Sequence, residues 1–420
     1  MAIGLDARKA VSIARQPILD PSGHIFGYEL LYHREPADTG ADADADEDAS
    51  GDLAGARVLT DGILAVGLDA LTSGLRAFVT LTHHLLVEGA ASLLPPESTV
   101  LELAADINVD DAVIDTCRRL RDQGYAIALD NFRAGQEAHP LLPWVAFVKV
   151  DVQHAPAAEW SALPGRLKAF KVKLVAEHVE TPEVAAAARA AGYHLFQGFY
   201  FCQPTTFART PLPARRLAYL TLLSALNRDD LSLDEVENLV KHDVSLSYRV
   251  LRSVNSAAFG LREEVTSMRR ALMLLGLIQI RRWASVWSLA GLSEGGMPEA
   301  VSVALIRARC CELLSEQMDA PESGSYFLLG LCSLLDVILQ RPMADVVADM
   351  PLPVAIKEAL LGGSNEARVV LDAVIAHERG AWTDAQTAAS RAGYPDAALP
   401  KIYAEALRWT REISLQAKAA

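Results

Sequence analysis

Five acidic residues in the first half of the chain share one setting, each within or ending a short apolar run. Glu29 lies in Phe26-Gly-Tyr-Glu-Leu-Leu, Glu102 in Thr99-Val-Leu-Glu-Leu and Asp130 in Tyr125-Ala-Ile-Ala-Leu-Asp, followed by Asp151 in Phe147-Val-Lys-Val-Asp and Glu177 in Val172-Lys-Leu-Val-Ala-Glu. The last four stand 28, 21 and 26 residues apart. Alanine- or leucine-rich helical stretches follow these runs, which is the rhythm of successive βα units. Acids near the C-terminal ends of such strands converge on one mouth of a barrel, where barrels of this kind build their sites. The competing role is structural, since strand-end carboxylates also persist as capped, salt-bridged or hydrogen-bonded groups.

Other chemistry-bearing residues point to less. Between Ala37 and Ala54 there are seven acids and no Lys or Arg. Calcium binding would need the regular ligand spacing and terminal bidentate Glu of a calcium loop, and both are missing. With little to bury and strong self-repulsion, the segment reads as a mobile loop, Ala41 to Ser50 above all. Cys117, Cys202, Cys310, Cys311 and Cys332 have neither CxxC spacing nor an even count, so buried free thiols are expected rather than a zinc knuckle or a disulfide framework.

The elements that would position the acids fit a chain of two domains. Its 420 residues are 51% hydrophobic, enough for substantial cores. No apolar run approaches the ~20 residues that cross a bilayer, and the N-terminus lacks the pattern of a secretory signal. The expectation is a cytoplasmic protein without membrane insertion. A net charge of −14 opposes direct nucleic-acid binding. Pro211 and Pro213 mark a linker. Beyond about residue 215 strand alternation gives way to helical periodicity: Leu246, Val250 and Val254 form one stripe, and Thr266 or Ser267 can cap a helix running through Leu275 to Gly276.

The motifs together resemble a known family. Tyr28-Glu29-Leu30-Leu31 is similar to the strand that names EAL domains, Ala128-Leu129-Asp130-Asn131-Phe132 to their LDDFG segment and Val148-Lys149-Val150-Asp151 to their KID segment. Ala176-Glu177-His178-Val179-Glu180-Thr181 is similar to AEGVET, and Gln197-Gly198-Phe199-Tyr200-Phe201 to the closing QGYYF. Residues 215 to 405 resemble an HDOD domain through Asp243-Val-Ser-Leu, Leu251-Arg-Ser-Val-Asn-Ser256, Ala271-Leu-Met-Leu-Leu-Gly276, Gly330-Leu-Cys-Ser-Leu-Leu-Asp336 and Pro351-Leu-Pro. The resemblance implies a TIM-like (β/α) barrel over residues 10–207 followed by an all-α HDOD domain over 215–405.

Active EAL enzymes hydrolyse cyclic di-GMP with two divalent cations about 3.5–4 Å apart, held by hard oxygen ligands. By resemblance Glu29, Glu102, Asp130, Asp151 and Glu177 keep metal-site positions, Lys149 keeps the water-orienting position, and Glu180 and Gln197 are retained. Departures fall on the same site. The strand Asn is Thr80, the second Asp of the DD pair is Asn131, the second Glu of E-I-T-E falls at Ala105, and the loop Gly is Arg133. The phosphate-gripping Arg falls at His33, with Arg34 beside it. These losses imply a vestigial catalytic set of Glu29, Lys149, Glu180 and Gln197, and a ligand pocket of Glu29, His33, Arg34, Asp130 and Gln197.

In the helical half His242-Asp243 spells an HD dipeptide, but His242 and His377 are its only histidines and Ser333-Leu334 stands where the HD pair of metal phosphohydrolases would fall. Asp243 reads as a helix cap. Trp283 and Trp287 read as core, and the pairs Arg269-Arg270 and Arg281-Arg282 as a solvated face. The resulting expectation is a bacterial-type regulatory protein, not an enzyme, that binds a signalling protein partner through its HDOD domain. No cofactor is expected, with Mg or Mn entering only alongside residual activity. The alternatives are a weakly active Mg/Mn-dependent phosphodiesterase and an inactive receptor for cyclic di-GMP.

Overall fold

The computed structural model describes residues 11–34, 67–202, 232–241, 267–276, 298–317, 323–348, 352–395 and 398–419, with single positions between them. By compactness the chain forms two units, residues 1–203 with 376–382 and residues 204–375 with 383–420.

The first unit is built on a closed eight-stranded barrel in sequence order. Its strands are β1 (Val11–Leu19), β2 (Ile25–Arg34), β3 (Arg76–Thr80), β4 (Thr99–Ala104), β5 (Ala126–Asp130), β6 (Phe147–Asp151), β7 (Lys173–Glu177) and β8 (Leu195–Gln197). From β2 to β8 neighbouring strands run parallel, as the βα rhythm requires. β1 is the exception. It pairs antiparallel with β2 over nine residue pairs and closes the barrel antiparallel to β8 over two, Ile18↔Gln197 and Leu19↔Phe196. A tight turn makes this possible: the Asp20 carboxylate accepts from the amides of Ser22 (2.8 Å) and His24 (3.0 Å), while Gly23 adopts φ +82, which glycine reaches without a Cβ clash.

Alternation along each strand stacks the interior in layers. One layer is apolar: Ile18, Phe78, Val100, Ala128, Phe147, Val175 and Leu195, with Phe26 against them. Phe26 meets Phe147 edge-on at 5.7 Å, and Phe147 meets Phe78 at 5.5 Å. Two helices among the connections show why the sequence folds as it does. In α1 (Asp111–Asp122) Asp110 caps the first turn by accepting from the Val113 amide at 2.8 Å, and Val113, Thr116, Cys117 and Leu120 face inward at helical spacing. In α2 (Pro182–Ala191) Thr181 caps Val184, Pro182 starts the helix and Gly192 ends it in the left-handed region.

The second unit is helical, with no strand among its described residues. Its long helices include α3 (Pro298–Gln317), α4 (Ser323–Cys332) and α5 (Ala398–Ala419). The cap read at Ser267 is present: its side chain accepts from Arg270 N, the helix runs Met268–Leu275, and Gly276 follows at φ +78. Val250 and Val254 are buried. The expected mobile loop at Ala41 to Ser50, Asp243, and the two tryptophans Trp283 and Trp287 lie outside the described residues. Cys117, Cys310, Cys311 and Cys332 are buried free thiols. Among the described residues no helix is long and apolar enough to cross a membrane.

Candidate functional site

The site is the next layer of the barrel interior. Two residues beyond the apolar layer, on the same face of each parallel strand, stand Thr80 after Phe78, Glu102 after Val100, Asp130 after Ala128, Lys149 after Phe147, Glu177 after Val175 and Gln197 after Leu195. Antiparallel β1 contributes Gln16, two residues before Ile18, and its register places Gln16 opposite Glu29. A polar ring therefore sits directly on the hydrophobic plug.

Lys149 is its hub. The side chain is wholly buried, and its Nζ lies 2.8 Å from Glu102 Oε1, 2.9 Å from Glu177 Oε1, 3.0 Å from Glu29 Oε2 and 3.4 Å from Asp130 Oδ1. The approach to Glu102 Oε1 is the shortest of the four. One cation cannot neutralise four acids. Burial, then repulsion from Glu29, pushes the Glu102 carboxyl well above the usual carboxylate range, and burial does the same to Glu177. Burial opposes the charge on Lys149, but Glu102, Glu177, Glu29 and Asp130 outweigh it and raise its ammonium well above the ordinary lysine value.

The altered positions have become donors or spacers. Thr80 Oγ1 donates to Glu102 Oε2 at 3.3 Å, and the Asn131 side chain donates to Asp130 Oδ2 at 3.4 Å while its amide donates to Oδ1 at 3.0 Å. Ala105 is buried, and its carbonyl accepts from Gln136 Nε2 at 3.4 Å and contacts His139 Nε2 at 3.1 Å, which anchors the loop after β5. Arg133 lies in that loop, its amide donating to Gln136 Oε1 at 2.7 Å. Gln197 Nε2 donates to Gln16 Oε1 at 2.9 Å and also to Glu29 Oε2.

Of the residues expected at the site, Glu29, Glu102, Asp130, Glu177, Lys149 and Gln197 come together. Glu180 lines the mouth above them, in a cleft of about 370 Å³ shared with Glu29, Asp130, Asn131 and His178. The backbones of His33 and Arg34 end β2. Asp151 turns away from the Lys149 cluster. Its Oδ1 accepts from the amides of Gln153 (2.9 Å) and His154 (3.0 Å), while its Oδ2 lies 2.7 Å from His154 Nδ1 and 3.3 Å from His178 Nδ1. Burial opposes ionisation there, but the His154 amide and ring and the nearby His178 hold the carboxyl below its usual value. Sequence reading missed Gln16, Tyr32, whose hydroxyl donates to the Thr80 carbonyl at 3.3 Å, and the pair His154 and His178. His178 did carry a signal, since it replaces the glycine of the AEGVET pattern.

The chain matches the model of the EAL domain over residues 76–204 and that of the HDOD domain over residues 212–351. A Bacillus subtilis (strain 168) protein, YuxH, described as uncharacterized, is 30% identical over 411 residues that cover 96% of this chain and 98% of that protein. The chain belongs to the EAL/HDOD family. Another member-length relative, the Vibrio cholerae serotype O1 protein named cyclic di-GMP phosphodiesterase CdgJ, is 27% identical over 97% of this chain and 94% of its own length. Among solved structures, one described as PaMucR phosphodiesterase in complex with c-di-GMP overlaps half of this chain and all of its own, at 22% identity and a TM-score of 0.38. In this EAL/HDOD chain the family motifs thus coincide with the polar ring: the EAL-type glutamate is Glu29, and the KID-type lysine is the hub Lys149.

Proposed function

We propose that this chain is a regulator in cyclic di-GMP-related signalling, in which a barrel of EAL type no longer hydrolyses the dinucleotide and the HDOD region binds a signalling protein. The observation that carries this reading is that Thr80 and Asn131, at positions the family fills with ligands, act as donors toward Glu102 and Asp130. A two-cation phosphodiesterase centre needs oxygen ligands on both sides of a shared carboxylate. Here a hydroxyl, an amide and the methyl of Ala105 stand at three of the positions that the family fills with ligands. With two carboxylates and one amide of the family set replaced, the donor set holds two dications more weakly. Glu102 Oε1 is held by Lys149 Nζ at 2.8 Å, so an ion bound there would have to displace that ammonium.

The competing reading is a Mg/Mn-dependent cyclic di-GMP phosphodiesterase, favoured by near full-length similarity to a relative named for that activity. The purified full chain, incubated with cyclic di-GMP and Mg²⁺ or Mn²⁺, separates the two. Our reading expects no linear dinucleotide above the level of a Glu29→Gln control. Turnover that disappears in that control overturns it. Calorimetric titration in the same buffers then divides a cyclic di-GMP receptor from a barrel that acts only as a scaffold.

A further inference from the structure

We infer that Asp151, His154 and His178 form a mononuclear site for a divalent transition metal, separate from the carboxylate cluster around Lys149. The inference goes beyond the regulatory reading and holds whether or not the barrel hydrolyses anything. One ligand atom from each of Asp151, His154 and His178 lies within 4.8 Å of the other two, and Asp151 Oδ2 is 2.7 Å from His154 Nδ1 and 3.3 Å from His178 Nδ1. Zinc takes nitrogen and oxygen ligands at about 2.0–2.2 Å, which puts neighbouring ligand atoms roughly 3.3 Å apart in a tetrahedral shell. The Asp151–His178 pair is already at that spacing, and the Asp151–His154 pair has to part by about 0.6 Å.

The supporting geometry is that of a held ligand. Two backbone amides occupy Asp151 Oδ1 and fix the carboxylate, leaving Oδ2 to the imidazoles, as outer-shell hydrogen bonds do for metal ligands. The rings of His154 and His178 meet edge-on at 5.7 Å. Their side chains are 70% and 49% exposed, which leaves room for water or an oxygen ligand at the open position of a three-ligand site. His178 holds φ +54, the left-handed region, where a non-glycine side chain is strained; such outliers gather at functional positions. Two imidazoles and one carboxylate select borderline metals such as Zn²⁺, Co²⁺ or Fe²⁺ over Mg²⁺ and Ca²⁺. Asp151 lies two residues past Lys149 on β6, one layer nearer the mouth. With His154 it lines a second cleft of about 310 Å³ that also contains Arg133, a cation suited to an anion bound at the metal.

The test uses the full chain, stripped by a chelator and titrated with Co²⁺ alone, read by visible d–d absorption and calorimetry. One equivalent is expected, displaced by Zn²⁺ and not by Mg²⁺. His178→Gly and His154→Ala should each weaken binding at least about tenfold, the lower end of losses seen for outer-shell partners alone. His178→Gly suits the local φ, so a folding defect does not confound it. Glu29→Gln should leave the titration unchanged. The proposal is overturned by no Co²⁺ binding, by binding that His178→Gly leaves intact, or by binding lost with Glu29→Gln, which would put the ion in the Lys149 cluster instead.

Discussion

Lys149 has more anionic partners than it can neutralise, and that imbalance sets what single substitutions do. Removing one member of a buried ion network strands the rest, at a cost of about 3–5 kcal/mol. Lys149→Met should therefore destabilise the barrel by that order in denaturant titration at pH 7, whereas Glu102→Gln should cost under about 1 kcal/mol, because the amide resembles the protonated acid that burial already favours. The pH dependence follows from the same residues. The carboxyls of Glu102 and Glu177 are raised in the fold, so what they contribute is complete below their unfolded values and is lost as pH rises through the folded ones. Lys149 is raised too, so its contribution holds below its unfolded value and is lost as pH climbs through its folded one. All three weaken the fold toward alkaline pH. Stability followed from the unfolded carboxyl value upward in pH should fall for the parent and fall less for Glu102→Gln; equal losses would show that the Glu102 carboxyl is not raised by the fold.

At the scale of elements, Gly330 of α4 lets that helix lie directly against the backbone of α3. A Cβ there would lie 2.3 Å from the Arg307 carbonyl carbon and 2.4 Å from Ala308 N, both backbone atoms of α3. Helix propensity alone would favour Gly330→Ala by about 1 kcal/mol, but the forced separation of α3 and α4 should cost about 3 kcal/mol and decide the sign. A rise in melting temperature for this variant would refute the close packing. The elements were unequally legible. The parallel strands β4 to β7 could be read because each run carries an acid at βα spacing, and the period of two along a strand is enough to stack Glu102 over Val100 and Lys149 over Phe147. The antiparallel course of β1 escaped reading, although Asp20-Pro-Ser-Gly carries a turn signal, because Val11–Leu19 has no terminal acid to join it to the series. The turning of Asp151 away from Lys149 was also hidden. It depends on local amides and on two histidines, His154 three residues later in the chain and His178 on the next strand's loop, and no one-dimensional pattern marks such a meeting.

At the scale of the whole molecule, Lys149 and Gly330 belong to different compact units and, among the described residues, have different neighbours. Effects of such changes usually add within about 0.5 kcal/mol. Hydrogen exchange should therefore find the barrel strands equally protected in the parent and in Gly330→Ala, and destabilised to the same degree by Lys149→Met in either background. A larger discrepancy would be direct evidence that strain in the helical unit reaches the barrel, which is what a regulatory device requires. The overall acidity of the chain, with its net charge of −14, predicts no retention on duplex DNA at physiological salt in a mobility-shift assay.

The two-pair closure between β1 and β8 has a consequence best put as mechanics. A closed barrel has no free edge, but its resistance to tension is that of its thinnest joins, and here nine pairs hold β1 to β2 while only two hold it to β8, as many as join β5 to β6 and β7 to β8. Parting at the β1–β8 join would let β1 swing out on its hairpin and bare two unpaired strand edges to any neighbouring chain. The side chain of Gln197 spans this join, gripping Gln16 on β1 and Glu29 on β2. Residues that resemble catalytic machinery thus serve as a clasp, and a force spectrometer pulling on Gln197→Ala should see the ring open at a lower load.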